Sequence, residues 1–427
     1  MKHECDVMVV GAGTAGLVAA IQAGREGAAT LLVEKNGMPG GTMTIGGINA
    51  PAHFFAWGRQ VVRGIGWELC LRTFEETGQP VPKPEEGTRH LRIDAPVFAA
   101  LAEEALLDAG VEMLYHAMPA SARFEAGAWI VQVCTKTGLQ EVRARVLVDA
   151  TGDANVVALA GFELIRPDLV QPATLSFRCS GYDPDALDYD ALKVAADAAV
   201  AAGELLVTDV AWGEEGPRGL LRKRGHNANH VRAPRAHTSE GRTQAEVEGR
   251  KAMLRANRFL RRQPGLENFR IDWVCPEIGI RETATIQGKR TITAAEYEVG
   301  VVYDDAICHA FYMIDEHLND GRGIHKRPLK QDVLPTIPRG AILPAGSRFL
   351  LAPGRCLSSD REANSALRVE CPCMAMGQAA GAMAALSART GVDPEDLPLD
   401  DVRRVLRKHD AIVPYAELVR FPRFSTK

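Results

Sequence analysis

The sequence predicts an α/β chain: a parallel-sheet domain accompanied by a second, α+β domain. Three observations carry this expectation. An apolar run near the start, Val7-Met8-Val9-Val10, turns through closely spaced glycines into a helical stretch, Leu17–Ala23, and a second apolar run follows at Thr30–Val33. Such short, continuous apolar runs suit strands buried on both faces of a sheet. Further strand-like runs, Ala128–Val133 and Val142–Val148, follow a helical stretch at 96–110, in which Phe98, Leu101, Leu106 and Leu107 recur at helical spacing. Finally, 427 residues exceed what one compact core accommodates.

Composition narrows the class. Hydrophobic residues make up 46% and charged residues 24%, which excludes a disordered, collagenous or coiled-coil chain. With 50 Lys and Arg against 54 Asp and Glu, the formal charge is -4, so no overall positive field draws the chain to nucleic acid or to an anionic membrane. The 9 cysteines are odd in number, and none lie in a metal-type C-x-x-C pair; Cys371-Pro372-Cys373 is spaced poorly for zinc or for a dithiol site. Reduced thiols and a cytoplasmic location are expected. The first residues, Met1 to Asp6, lack a signal-peptide layout, and no apolar stretch reaches the ~18 residues of a membrane span.

The first turn reads Gly11-Ala12-Gly13-Thr14-Ala15-Gly16. Gly11 permits a sharp turn, Gly13 lets a pyrophosphate approach the backbone, and Gly16 lets helix and strand pack closely. The helix start at Thr14 and Ala15 offers unpaired N–H groups to phosphates. Glu34, closing the second strand, stands at the offset where a carboxylate accepts ribose hydroxyls. Strand, glycines, helix, strand and acid occur in order, which a chance glycine cluster would not produce. The unit is a Rossmann-like dinucleotide site. Lys35 to Asn49 is rich in glycine and threonine, including Gly41, Thr42 and Thr44. It suits a cofactor that continues past its pyrophosphate, and it also fits a surface loop.

Further blocks appear in order: Val146-Leu147-Val148-Asp149-Ala150-Thr151-Gly152-Asp153, then Gly279-Ile280-Arg281-Glu282-Thr283 with Ile286 and Gly288, then Ile337-Pro338-Arg339-Gly340 leading to Phe349–Ser358 with Gly354-Arg355, and finally Arg368-Val369 and Gly377-Gln378-Ala379-Ala380-Gly381. Taken together, they resemble the FAD-dependent oxidoreductases related to fumarate reductase and succinate dehydrogenase flavoproteins, over about residues 5 to 390. The resemblance implies a glutathione-reductase-like FAD domain with a parallel sheet and a β-meander, interrupted by an inserted substrate or cap domain. It implies FAD contacts from Gly11, Gly13, Thr14, Ala15, Gly16, Glu34, Lys35, Gly41, Thr42, Thr44, Thr151, Gly152, Asp153, Gly354, Arg355, Arg368 and Gly377. Some relatives attach FAD through a histidine just after the second strand. Here Met38 to Thr44 contains none, and His53 lies beyond, so non-covalent FAD is expected. Gly354-Arg355 departs from the Gly-Asp of aromatic hydroxylases, which argues against a monooxygenase.

The expected organisation is 1–161 for the first part of the FAD domain, 162–335 for the substrate or cap domain, 336–392 for the return to the FAD domain, and 393–427 for a tail. Helices are expected at 185–202, 244–262 and 399–409. No second G-x-G-x-x-G follows a strand, so a built-in NAD(P)H domain is not expected. Electrons then leave through a separate acceptor: oxygen, a quinone or a carrier protein.

Flavin carries the hydride, so the protein needs groups that bind substrate and move a proton. Arg218 to Arg242 holds seven Arg and Lys against Glu240, a local net of +6, interleaved with His226-Asn227-Ala228-Asn229-His230. Read as a loop over the flavin, it supplies Asn227, Asn229 and Arg232 as substrate-binding residues and His226 or His230 as acid or base, because imidazole titrates near working pH. Read plainly, it is a solvated basic loop or a contact with a second copy in a homodimer. Arg281 and Glu282 are the other catalytic candidates, with a structural ion pair as the alternative. His309, Tyr312, Asp315 and His317 stay undecided between site and packing, and Cys356, Cys371 and Cys373 fit inert buried thiols better than a redox relay.

The leading expectation is a dehydrogenase or oxidase of a small polar or anionic substrate. Reduction of an activated double bond in the fumarate-reductase manner comes next. A flavin-dependent RNA-modifying factor using the basic loop is the distant third. No metal is expected.

Overall fold

The computed structural model describes residues 4–83, 91–211, 216–227, 229–319 and 323–414. Met1 to His3, Ala228 and the end of the tail beyond 414 fall outside them.

The parallel sheet forms where the apolar runs stand. Glu4–Val10 pairs in parallel with Thr30–Val33 on one side and with Gly138–Asp149 on the other; Glu112–Leu114 adds beyond the former. Leu350–Leu351, some 200 residues downstream of the third strand, pairs in parallel with Leu147 and Val148. The sheet continues antiparallel through Ala128–Thr135 and Met118–Glu125, a meander that turns at Lys136-Thr137. One face of the strands presents Val7, Val9, Leu32, Val146, Val148 and Leu351 to the larger core; the other presents Met8, Val10, Leu31, Val33, Leu147 and Leu350 to a second. Strand alternation thus places each run's neighbours on opposite faces, and uniformly apolar runs satisfy both. The fold is α/β, with a parallel sheet, a meander and a second group of elements.

On the larger core's side, helices Thr14–Arg25 and Glu370–Thr390 pack closely. Small residues make this contact. A Cβ at Gly377 would fall 2.1 Å from Ala15 O, and one at Gly381 2.3 Å from Ala19 O. Gly377, expected to touch the cofactor, instead serves this helix–helix contact, where only a hydrogen side chain admits the neighbouring backbone. A Gly377→Leu variant is expected to lose at least ~3 kcal/mol of stability through overpacking against backbone that cannot yield. Denaturant melts of the two proteins measure it; equal midpoints would contradict the packing argument.

The other elements form a three-stranded antiparallel sheet, Gly225–His226, Phe177–Ser180 and Arg270–Val274, backed by helices Tyr189–Ala201 and Ser239–Leu260. Both helices start at side-chain caps rather than at the expected positions. Asp188 accepts from Asp190 N and Ala191 N, and Thr238 accepts from Gly241 N, so the second helix begins five residues before Gln244. The remaining expected helices stand at Ala95–Asp108 and Leu399–Lys408. Among the described residues, no helix is long and apolar enough to cross a membrane.

Candidate functional site

A cleft of about 850 Å³ runs between the carboxyl ends of the parallel strands and the second group of elements. Distant segments converge on it: the turn at Gly11, Gly13, Thr14 and Ala15; Glu34 and Lys35; Gly41 and Thr42; Thr151, Gly152 and Asp153; Gly354, Arg355 and Arg368. Ligands in open α/β sheets bind at this end, where strands stop and helix N-termini begin.

Each segment is held by identifiable bonds. Glu34, 7% exposed, accepts from Ala12 N at 2.7 Å and Asn36 N at 2.8 Å, bracing the glycine turn while keeping lone pairs for a hydroxyl. Gly11 has φ +98, and a Cβ there would meet Ala150 O at 2.5 Å; a Cβ at Gly16 would meet Gly11 O at 1.9 Å. Gly16 is therefore a packing glycine behind the cleft wall. Gly13 differs: its φ is -67, and nothing lies within 4 Å of a Cβ built on it. The space over Gly13 is open cleft. A phosphate there would meet the amino end of Thr14–Arg25 with no side chain in the way. The donors, the acidic acceptor Glu34 and the volume of the cleft fit a dinucleotide such as FAD.

The Thr151-Gly152 turn is pinned from below by buried Asp149, which accepts from Thr151 N (3.0 Å), Thr151 Oγ1 (2.7 Å) and Val157 N (2.9 Å). Asp153 accepts from Thr283 Oγ1 at 2.8 Å and pairs with Arg242 at 2.7 Å and with Arg355. Arg355 also donates to Gly152 O at 2.9 Å and to Ile280 O. The Asp153–Arg355 pair thus rivets several segments of the cleft wall, its polar atoms bonded to one another and to Thr283, Arg242, Gly152 O and Ile280 O. Thr44 is buried and donates to Pro39 O at 2.7 Å, so it shapes the loop and does not line the cleft. Lys35 lines the rim and pairs with Glu277.

The far half of the cleft carries the polar groups suited to a substrate: Arg281, Asn227, His226, Tyr312, Asp315, His317, Arg368 and Glu370. Arg281 is buried, and its guanidinium donates to Pro172 O at 2.6 Å and to Asn227 Oδ1 at 2.9 Å, both neutral acceptors. Burial, helped by the nearby Arg368, pushes its pKa down to about 9. Arg368 donates to Gln171 Oε1 at 3.2 Å and to Asp315 O at 3.4 Å. His226 stands at the mouth, 3.4 Å from Arg92 Nη1; burial and the cations Arg92, Arg178 and Lys223 push its pKa down to about 4.

Several sequence assignments fail here for definite reasons. Glu282 does not line the cleft, although its neighbour Arg281 does. It accepts from Gln171 N at 2.8 Å and pairs with Arg361 at 3.2 Å, a structural tie outside the cleft. Asn229 accepts from Leu175 N and donates to Leu175 O, both at 3.1 Å, so its amide is used up by backbone. Arg232 is exposed and does not line the cleft. His230 is buried behind the wall, with its Nε2 2.8 Å from His317 Nδ1. Cys356 and Cys371 are buried thiols whose pKa burial raises; Cys373, also raised by burial, reaches the cleft wall. His309 lies away from the cleft.

Sequence reading passed over Arg92 and Glu370 entirely and counted Arg242 only as one charge of the basic segment. Glu370 opens the helix Glu370–Thr390 and lines the cleft, and burial raises its pKa to about 7. The unfolded chain ionises this group near 4.5 and the folded chain only near 7. Its contribution to stability is therefore full below pH 4.5 and is lost as pH rises to about 7. A Glu370→Gln variant is expected to melt with the parent at pH 4.5 and above it at pH 8. A gap between the two that is the same at both pH values would contradict this.

Comparison with known proteins places the chain clearly. The model of the FAD dependent oxidoreductase family matches residues 6–406. A stretch of 40 residues is 51% identical to sarcosine oxidase subunit alpha of Rhizobium meliloti, covering 9% of this chain and 4% of that protein's length. Among solved structures, a geranylgeranyl bacteriochlorophyll reductase-like protein of Thermoplasma acidophilum is similar at 13% identity and TM-score 0.45, over 96% of this chain and 82% of the other. The anhydrotetracycline hydroxylase OxyS of Streptomyces rimosus is similar at 13% identity and TM-score 0.45, over 95% of this chain and 66% of the other.

Proposed function

Because the chain belongs to the FAD dependent oxidoreductase family, we propose that this FAD-dependent oxidoreductase oxidises a small anionic substrate. FAD would be held non-covalently by the segments around Gly13, Glu34, Gly41, Thr151 and Gly354. When bound, it supplies a two-electron hydride acceptor.

The observation that carries the reading is Arg281. It is a buried guanidinium on the cleft wall whose bonds go to neutral acceptors, and among the described residues it forms no ion pair. A buried cation that forms no ion pair is costly, so its persistence argues for a ligand that brings a negative charge into contact with it. A carboxylate fits the planar fork of the guanidinium. Asn227 fixes the fork by accepting one of its N–H groups. Arg368, on the same wall, adds to the positive field.

The second reading, addition of hydride and proton to an activated double bond, as in the fumarate-reductase relation, draws on Glu370. A carboxyl with its pKa raised to about 7 can donate a proton inside the cleft. Electrons would leave the oxidase or dehydrogenase to a separate acceptor, and a cytoplasmic setting accords with the reduced thiols.

Anaerobic mixing of the flavin-loaded protein with small carboxylates decides the matter. Oxidation bleaches the yellow absorbance of the flavin. The opposite direction appears as reoxidation of pre-reduced flavin by an unsaturated acid. Failure of every carboxylate in both directions would overturn the anionic-substrate reading.

A further inference from the structure

The strand Ile314–His317 carries acid and imidazole two residues apart, so Asp315 and His317 project from the same face. That face is the cleft wall, which both residues line. Glu316, on the opposite face, is spent on Arg361 at 2.8 Å. His317 Nε2 lies 3.3 Å from Asp315 Oδ2, and its Nδ1 lies 2.8 Å from His230 Nε2, making one chain of three side chains from the cleft into the protein.

Asp315 is 7% exposed. An ionised carboxylate only accepts, so the proton between it and His317 sits on Nε2. Neutral His317 then offers Nδ1 as a lone pair, and His230 donates to it. Burial and the neighbouring Arg281 keep His317 neutral. Asp315 is therefore a buried anion with a neutral partner, as Arg281 is a buried cation with neutral partners. The two charges are close enough to influence each other, yet the structure contains no ion pair between them. Two buried charges of opposite sign on one cleft wall, close enough to influence each other but not paired, match a ligand that carries both signs and can bridge them.

We propose that the substrate is a zwitterion, an α-amino acid or closely related amino carboxylate, whose carboxylate meets Arg281 and whose ammonium group meets Asp315, with Asp315, oriented by His317 and His230, receiving the proton that the ammonium must lose. This inference rests on the anionic-substrate reading above and adds the second charge. The step balances. The ammonium N–H bond breaks and its proton passes to Asp315. The Cα–H bond breaks with its electron pair, and bound FAD would be the two-electron acceptor. The nitrogen lone pair forms the C=N bond, giving the iminium of a 2-oxo acid. Asp315 contacts the substrate; His317 and His230 act through it as positioning residues.

The test uses the flavin-loaded protein and three matched series: amino acids, the corresponding 2-hydroxy acids, and the corresponding amines without a carboxylate. Amino acids are expected to bleach the flavin, the other two series not. Binding is read separately by calorimetry. Asp315→Asn is expected to weaken amino-acid binding by about 30-fold, the scale of one charge-assisted hydrogen bond, and to leave binding of the deamino carboxylates within about threefold. His230→Gln is expected to leave the dissociation constant unchanged and to slow flavin reduction, with a changed pH profile. Bleaching by hydroxy acids with inert amino acids would overturn the zwitterion while leaving the anionic-substrate reading intact. Equal weakening of both ligand classes by Asp315→Asn would overturn it too. Bleaching by simple amines alone would remove both readings.

Discussion

Gly13→Val is expected to fold as the parent does and to purify colourless. Gly13 is already in a conformation open to any residue, and no atom lies within 4 Å of the position a Cβ would take. The added Cβ therefore meets no protein, and the expected cost to the fold is that of a changed helix cap, a few tenths of a kcal/mol to about 1 kcal/mol. The same atoms project into the cleft where a pyrophosphate must approach the backbone. Flavin content after acid precipitation, measured beside the melting midpoint, separates the two effects. Gly16→Val gives the contrast, because there the Cβ would overlap Gly11 O and the fold itself is lost. A yellow Gly13→Val protein with normal flavin content would remove the cofactor from this end of the sheet.

Arg281→Met is expected to lower kcat/KM by roughly 100-fold, the upper range for a hydrogen bond between charged groups. Stability should move the other way or stay level. The variant gives up two bonds to neutral acceptors, worth ~1 kcal/mol each, and the attraction of nearby Asp315, but it also removes a buried charge that forms no ion pair. Loss of activity with an unchanged or raised melting midpoint marks a residue kept for its ligand and not for the fold. Arg281→Lys is expected to recover little, since an ammonium lacks the planar fork. A variant that loses activity and stability together would show Arg281 to be a structural strut.

The cofactor half of the cleft was largely legible because its requirements are local. A strand that must turn within two residues needs Gly11, a helix that must press on a strand needs Gly16, and both demands are written into adjacent positions. Thr44 and Gly377 show the limit of that reading. Each is a small residue in a cofactor-like motif, but one bonds its own loop and the other admits a neighbouring helix. A small residue signals close approach without saying what approaches.

The substrate half was legible only as a set of candidates. The segment around His226 and His230 was visible from its charge and imidazoles, and the structure divides it: His226 and Asn227 face the cleft, Asn229 and Arg232 do not, and His230 reaches it only through His317. Arg281 and Glu282 are neighbours in sequence with different fates: one lines the cleft and the other pairs with Arg361. Glu370 carried no signal at all, since a glutamate at a helix start reads as an ordinary first-turn acid.

By itself the sequence determined the sheet, its glycine turn and the class of cofactor, because strand burial and tight turns act between residues near one another along the chain. Tertiary structure alone decided that Arg281 and Asp315 line one cleft wall without forming an ion pair with each other. They come from different segments of the chain, and how a buried charge is compensated depends on what the fold brings to within a few ångströms of it.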